Sequence, residues 1–214
     1  MSPGFSFNTA RTEENAPLGT EDEPGPSPLQ TAAGIGDLPK VHSLLEAGAD
    51  ISALDPGWYG VTALQAACKG GHLNVVKVLL EKGADVNQAG GNNGGGGRTA
   101  LQVAAYFGYL VIVEVLVARG ARVNQVPARY NGLTALQAAC EGGQVKMVRK
   151  LLREGADVNA KPAFTHGRTA LQAACESGNL EIVSELLDRG ANVNSEGAKY
   201  NGVTALRQLI STFP

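Results

Sequence analysis

One three-residue phrase, Thr-Ala-Leu, returns along this chain at an almost constant interval. It begins at Thr62, Thr99, Thr134, Thr169 and Thr204, at spacings of 37, 35, 35 and 35 residues. A weaker copy, Ser27-Pro28-Leu29-Gln30, lies 35 residues before Thr62. Glycine follows each of the first five starts, counting Ser27, at nine and at twenty-one residues. Punctuation kept in phase over such a period is the signature of a repeat architecture, which here has five full units and one partial unit.

Each unit has the pattern of two short helices. Thr is a favoured helix N-cap, and in four units Gln stands three residues after it, as a capping box requires. Those glutamines are Gln65, Gln102, Gln137 and Gln172. Apolar residues recur at spacings of three and four in both helices, and the fixed glycines are placed to end them. The first helix of the second unit has Leu64, Ala67 and Cys68; the second helices have Val76, Leu79 and Leu80, or Val148, Leu151 and Leu152, or Val183, Leu186 and Leu187.

These units resemble ankyrin repeats. Thr-Ala-Leu-Gln stands where that family usually has Thr-Pro-Leu-His, and Gly-Ala-Asp-Val-Asn at 83–87 and 155–159 reproduces the family's exit from the second helix. The resemblance covers about residues 27–210. Each hairpin is at least two residues longer than in the family's usual repeat of about 33 residues. Such lengthened, Gln-bearing repeats are similar to those of fungal ankyrin arrays.

The resemblance implies an all-α fold, an ankyrin-repeat solenoid of helix-turn-helix units with projecting hairpin loops. One such unit cannot bury its own apolar faces, so the units must stack in one dimension. Residues 1–26 carry five acidic residues, one arginine and many Pro and Gly, and we expect a disordered acidic tail there. The predicted domain is 27–214, with units 27–61, 62–98, 99–133, 134–168, 169–203 and a partial unit 204–214.

Charge and hydropathy argue against two classes of partner. The net charge of -2 provides no basic field for nucleic acid or for an anionic membrane. The longest apolar stretch, 109–118, contains Glu114 and is far shorter than the roughly 20 residues of a membrane span. The N-terminus does not have the pattern of a secretory leader. We therefore expect an intracellular, cytoplasmic protein, with the nucleus left open.

A glycine-rich segment, 90–99, invites comparison with a phosphate-binding loop. Arg98-Thr99 stands where such a loop has Lys-Ser or Lys-Thr, but Asn92 occupies the place of its required first glycine. No strand is predicted before it, and Gly167-Arg168-Thr169 has the same ending at an ordinary unit boundary. We interpret the segment as an enlarged hairpin.

Other catalytic or metal-binding patterns are not found in the sequence. Cys68, Cys140 and Cys175 all fall six residues after a unit's Thr, which predicts core-filling side chains. The histidines are scattered without partners at metal-ligand spacing. No set of Ser, His and Asp with the features of a catalytic triad emerges. We expect no enzyme, no cofactor and no metal.

Binding is then the predicted activity. By resemblance, ankyrin arrays recognise proteins through the hairpin tips and the concave face of the first helices, and four of five hairpins here bear an aromatic residue. The predicted contact residues are Trp58, Tyr59, Lys69, Tyr106, Phe107, Arg129, Tyr130, Asn131, Phe164, His166, Lys199 and Tyr200. Glu141 and Glu176 vary at the position of Tyr106. The alternative for the hairpins is that the rings stiffen the tips by packing on one another.

We therefore predict a protein-binding scaffold or adaptor that is itself monomeric. The alternatives are a sensor or recognition fragment of a larger, receptor-like protein and, less favoured, an enzyme that acts in the concave groove.

Overall fold

The structure is a computed structural model, and it describes residues 27–55, 60–91, 97–129 and 131–196. The predicted acidic tail, the partial unit 204–214 and the centre of the glycine-rich hairpin lie outside these residues. Within them the chain forms ten α-helices in five consecutive pairs. The helices are α1 (Pro28–Ile35), α2 (Leu38–Glu46), α3 (Ala63–Gly70), α4 (Leu73–Glu81), α5 (Ala100–Phe107), α6 (Leu110–Ala118), α7 (Ala135–Glu141), α8 (Val145–Arg153), α9 (Ala170–Glu176) and α10 (Leu180–Asp188).

The five pairs stack in two rows of helices. Each first helix packs against the first helix of the next unit and against the second helix of its own unit. The second helices form the other row, and a hairpin segment leads from each unit to the next. The all-helical solenoid predicted from the repeat is therefore confirmed, and none of the described helices is long and apolar enough to cross a membrane.

The predicted capping boxes begin four of the first helices. The Oγ1 atom of Thr62 accepts the backbone N–H of Gln65 at 3.2 Å, and Gln65 Oε1 accepts the backbone N–H of Thr62 at 2.9 Å. The same reciprocal pair occurs at Thr99, Thr134 and Thr169. Ser27 caps α1 without a side-chain hydrogen bond. Each box gives a partner to the backbone N–H groups of its Thr and its Gln, which would otherwise be unpaired. The Thr and the Gln together therefore fix the start of each of these four helices.

Three of the four capping glutamines have a second function. Their amide nitrogens donate to a backbone carbonyl at the base of the hairpin 23 residues later: Gln65 to Gln88 O at 2.9 Å, Gln137 to Ala160 O at 3.0 Å and Gln172 to Ser195 O at 3.1 Å. These amides are buried, so an unmade hydrogen bond would be costly. A single side chain therefore starts the helix and positions the hairpin.

Asparagines at the end of the Ala-Asp-Val-Asn phrase tie successive units together. Asn87 Nδ2 donates to Gly120 O at 3.0 Å, and Asn87 Oδ1 accepts the backbone N–H of Arg122 at 2.9 Å. Asn124 and Asn159 make the same two bonds to the units that follow them. The repeated Asn thus sets the spacing of adjacent turns.

The core is continuous along the stack, as the repeat predicts. Leu64, Leu101, Leu136 and Leu171, two residues after the four capping threonines, are almost fully buried, and the alanines around them let the first helices approach closely. The thiols of Cys68, Cys140 and Cys175 are completely buried, as expected of core residues. One predicted core position is wrong: Leu187 is 42% exposed, whereas Leu80 and Leu152, at the same position of their units, are buried.

Candidate functional site

The first helices together present one face of the stack, the first-helix face, and a row of variable side chains crosses it at the position seven residues after each unit's Thr. These are Lys69, Tyr106, Glu141 and Glu176, in the last turns of α3, α5, α7 and α9. Lys69 is exposed and the other three are half-buried. The repeat places all four on the same side, so the row passes from a cation through an aromatic ring to two carboxylates.

Two arginines that sequence reasoning missed complete this row. Arg168 Nη2 donates to Glu176 Oε1 at 3.1 Å, and Arg168 Nη1 lies 3.7 Å from Glu141 Oε2. The guanidinium carbon of Arg98 lies 5.7 Å from the ring centroid of Tyr106. Both arginines directly precede an N-cap Thr. The sequence does carry a signal for these arginines. In the second and fourth units the residue before the N-cap Thr is aliphatic, Val61 or Leu133, so an arginine at that position is a departure from the repeat.

Burial and neighbouring charges shift the ionisation of this row. Burial raises the pKa of Glu176, the charge of Arg168 opposes that shift, and Glu141 adds to it. Burial likewise raises the pKa of the Tyr106 hydroxyl and lowers the pKa of Arg98. Each shift is away from the charged form, as expected where side chains leave bulk water. The row therefore has a lower effective dielectric than an open surface, and ionic contacts made there are stronger.

An aromatic cluster stands at the turn of the third unit. The rings of Tyr106 and Phe107 meet edge to face with centroids 5.3 Å apart, and Phe107 stacks on Tyr109 at 5.8 Å. Tyr109 reaches back over Gly71, where an added Cβ would lie 2.8 Å from the tyrosine ring. Gly71 also has a φ of +75°, so the position requires glycine on both counts. The cluster is thus held by the preceding unit.

A second cluster lies on the hairpins of units three and four. The guanidinium carbon of Arg129 is 5.0 Å from the ring centroid of Phe164. The backbone N–H of Thr165 donates to Arg129 O at 3.1 Å, and that of Asn131 donates to Thr165 O at 3.0 Å. The two hairpins therefore pair like short strands. Asn131 and His166 adopt left-handed φ values of 49° and 56°, which allow tight turns at both residues.

The predicted contact residues divide into three sets. Lys69, Tyr106 and Phe107 belong to the first-helix face, and Arg129, Asn131, Phe164 and His166 belong to the paired hairpins. Trp58, Tyr59, Tyr130, Lys199 and Tyr200 lie outside the described residues. The guanidinium group of Arg129 packs on Phe164, which keeps 42% of its surface exposed.

Burial keeps the thiols of Cys68 and Cys140 protonated. Burial raises the pKa of Cys68 and Cys140 far above the ordinary value for a thiol, so neither forms the thiolate that nucleophilic attack or metal binding requires. Among the described residues, no group of three or more His, Cys, Asp or Glu side chains could hold a metal ion. The arrangement of alternating charges beside half-buried rings is suited to binding another surface.

Comparison with known proteins identifies the repeat. A family model described as ankyrin repeats (3 copies) matches residues 12–89, 29–127, 88–162 and 120–197. The overlapping matches follow the stack of units described above. No curated protein matches the chain.

Proposed function

The chain belongs to the ankyrin-repeat family, whose repeats are generally protein–protein interaction modules, and we propose that it is a non-catalytic adaptor for a protein partner. The partner is bound through the concave first-helix face and the hairpin tips, inside the cell and in the cytoplasm. Tyr106, Phe107 and Lys69 are the proposed anchors on the first-helix face. On the hairpins they are Trp58, Tyr59, Arg129, Tyr130, Asn131, Phe164, His166, Lys199 and Tyr200.

The observation that supports this proposal is the aromatic cluster of the third unit. The residue at the position of Phe107 is Gly70 in the second unit and Gly142 in the fourth. Phe107 is therefore flanked by two units without a side chain at this position, and its half-buried ring stands out on this part of the surface. Rings that hold their conformation before binding lose little entropy on binding, which makes Tyr and Phe effective anchors.

The charges beside the cluster would set specificity. Arg98 and Arg168 alternate with Glu141 and Glu176, so a partner must match a sequence of signs rather than a single charged patch. A mismatch would place like charges together in a partly dry site, which is more costly than the same mismatch in water. Affinity is thus assigned to the rings and selectivity to the ionic row.

The test uses a photo-crosslinking residue, p-benzoylphenylalanine, introduced in place of Phe107. The matched control places it at Val111, an exposed residue of α6 in the same unit. We expect a reproducible crosslinked protein from position 107 and not from position 111. Mass spectrometry then identifies that protein, which is purified for binding measurements.

Affinity for the purified partner decides the proposal. The double variant Tyr106→Ala, Phe107→Ala is expected to weaken binding by roughly thirtyfold or more, as for residues at the centre of an interface. Val111→Ala is expected to leave the affinity unchanged, and circular dichroism checks that both variants are folded. Equal affinities for the double variant and the wild type would refute the assignment of the site.

A further inference from the structure

Neighbouring first helices are not evenly spaced along the stack, and the residue eight positions after each unit's Thr explains why. In α3 this residue is Gly70, whose backbone packs against the carbonyl oxygen of Gly34. In α7 it is Gly142, which packs in the same way on Tyr106 O. A Cβ atom at either glycine would overlap that oxygen. The same position of α5 is Phe107, whose side chain prevents such an approach, and α3 and α5 are the least closely packed neighbours among the described first helices.

The wider junction between α3 and α5 has a cation on one side and aromatic rings on the other. Lys69, in the last turn of α3, is exposed. Next to it in the row, α5 contributes the edge-to-face rings of Tyr106 and Phe107. Tyr109 packs on Gly71 and stacks on Phe107, so it closes the junction at the turn end of the two helices. Because neighbouring helix axes lie about 8–10 Å apart, a ligand side chain placed on these rings is also within reach of the Lys69 ammonium group.

The charge of the first-helix face differs between its two halves. In the first three units the first helices carry one charged residue, Lys69, and Arg98 directly precedes α5. Within the described ranges, every acidic residue of these units lies on a second helix, at its cap or in a hairpin. In the fourth and fifth units, Glu141 and Glu176 hold the position of Lys69. We call the half formed by α1, α3 and α5, with Arg98, the cationic half.

Charge complementarity indicates the chemistry of the partner. We infer that the partner binds the cationic half through an acidic segment, in which a carboxylate pairs with Lys69 and a neighbouring apolar side chain packs on Phe107. Arg98, whose guanidinium carbon lies 5.7 Å from the ring centroid of Tyr106, adds attraction at longer range. This inference rests on the proposed function, since it names the chemistry of a partner bound at the same face.

Two features of the face favour an acidic peptide segment over other ligands at this place. A nucleic acid needs a row of cations along its phosphates, whereas the cationic half, as defined, has Lys69 and Arg98. A peptide segment needs one carboxylate beside one apolar side chain, which matches a single ammonium group beside the rings. The same segment would be repelled at the other half of the face, where Glu141 and Glu176 replace the lysine.

The first test selects peptides on the immobilised full chain. A phage-displayed library of random peptides is panned at about 0.15 M salt, where exposed charges are screened as in the cell. The enriched sequences are expected to carry Asp or Glu close to an aliphatic or aromatic residue. Representative peptides are then synthesised, and their dissociation constants for the full chain are measured by fluorescence anisotropy.

The second test reverses one charge. Lys69→Glu is expected to weaken binding of the selected peptides by roughly tenfold or more, because it brings like charges together. The matched control is Lys77→Glu, which makes the same change at an exposed lysine of α4 in the same unit and should leave the affinity unchanged. Peptides in which the acidic residue is replaced by lysine should bind Lys69→Glu more tightly than they bind the wild type. Circular dichroism checks that both variants are folded.

The double variant Tyr106→Ala, Phe107→Ala separates this inference from the proposed function. Peptides that lose affinity for the double variant but not for Lys69→Glu would overturn the acidic partner and leave the proposed site standing. Peptides insensitive to all of these changes would show that the site itself is wrong. An enriched set without acidic residues, or no enriched set at all, would also overturn the inference. So would a labelled oligothymidylate that binds more tightly than the peptides and depends on Lys69, since the face would then recognise a nucleic acid.

Discussion

The first and the last described units have the same backbone and opposite outward surfaces. The first unit begins at Ser27, which makes no side-chain cap, and turns Lys40 toward solvent. The fifth unit begins with the full capping box of Thr169 and exposes Leu180 and Leu187. The repeat pattern thus determines the helix pair, whereas single residues at a few positions decide which outward surface that pair presents.

The two units also differ in how they are attached to their neighbours. Arg149 of α8 donates to both Glu181 and Glu185 of α10 at 3.0 Å. The equivalent residues between α2 and α4 are His42, Asn74 and Val78, which cannot form such ion pairs. The first unit is instead joined to the second where His72 Nε2 lies 3.0 Å from Gly34 O. The fourth and fifth units are therefore joined by surface ion pairs that the first and second units lack.

The largest expected effect comes from the buried position that faces the preceding unit. Ile182→Ala should lower the free energy of unfolding by about 2–5 kcal/mol, because it leaves a cavity between the fourth and fifth units. Loss of that contact should also uncouple α10 from the stack. Urea denaturation followed by circular dichroism measures the stability, and hydrogen exchange of the α10 amides locates the loss.

The matched control is Lys40→Ala, at the same position of the first unit. Because Lys40 is exposed, the change should stay within about 0.5 kcal/mol. Similar losses in the two variants would show that the two positions do not differ in the way their burial indicates.

The helix caps are expected to differ by a smaller amount. Thr169→Ala removes the bond from the backbone N–H of Gln172 to Thr169 Oγ1 at 3.2 Å and should cost about 1 kcal/mol. Ser27→Ala removes no such bond and should cost at most a few tenths of that. Thermal unfolding of both variants tests the contrast, which would be contradicted by an equal fall in Tm.

The solenoid could be predicted because every unit repeats the same local signals. The capping boxes at Thr62, Thr99, Thr134 and Thr169 follow from a Thr and a Gln three residues apart, and burial follows from helical spacing. Leu187 was the exception. Its spacing is that of a core residue, but its burial depends on what packs against α10, which is information that lies outside the unit.

The candidate site was predictable only in part. Tyr106 and Phe107 were found because they interrupt positions held by small or charged residues elsewhere. Arg98 and Arg168 were missed because residues before an N-cap were treated as hairpin ends, and only the structure shows Arg168 reaching across to Glu141. Contacts between units depend on side-chain reach as well as on register, and the sequence period specifies register alone.

A still smaller effect is expected from the ion pairs that join the fourth and fifth units. Arg149→Gln should lower Tm at low ionic strength, and the difference should nearly vanish in about 1 M salt, where screening is strong. The control is Lys77→Gln, because the residues at the corresponding acceptor positions of the third unit are Val111 and Val115. A salt-independent difference for Arg149→Gln would indicate lost packing rather than lost charge.

The smallest effect concerns pH and the fifth unit alone, since Gly34 holds the position of Glu176 in the first. Burial raises the folded-state pKa of Glu176, so the folded chain binds this proton more tightly than the unfolded chain does. That contribution to stability is complete below the unfolded pKa and is lost as pH rises through the folded pKa. Glu176→Gln resembles the protonated side chain and removes this loss. The stability of the variant relative to wild type should therefore increase between pH 4 and pH 7, by about a few tenths of a kcal/mol at a half-exposed site. Denaturation of both proteins at the two pH values measures this difference. A difference that is constant or changes in the opposite direction would show that Arg168 stabilises the carboxylate instead.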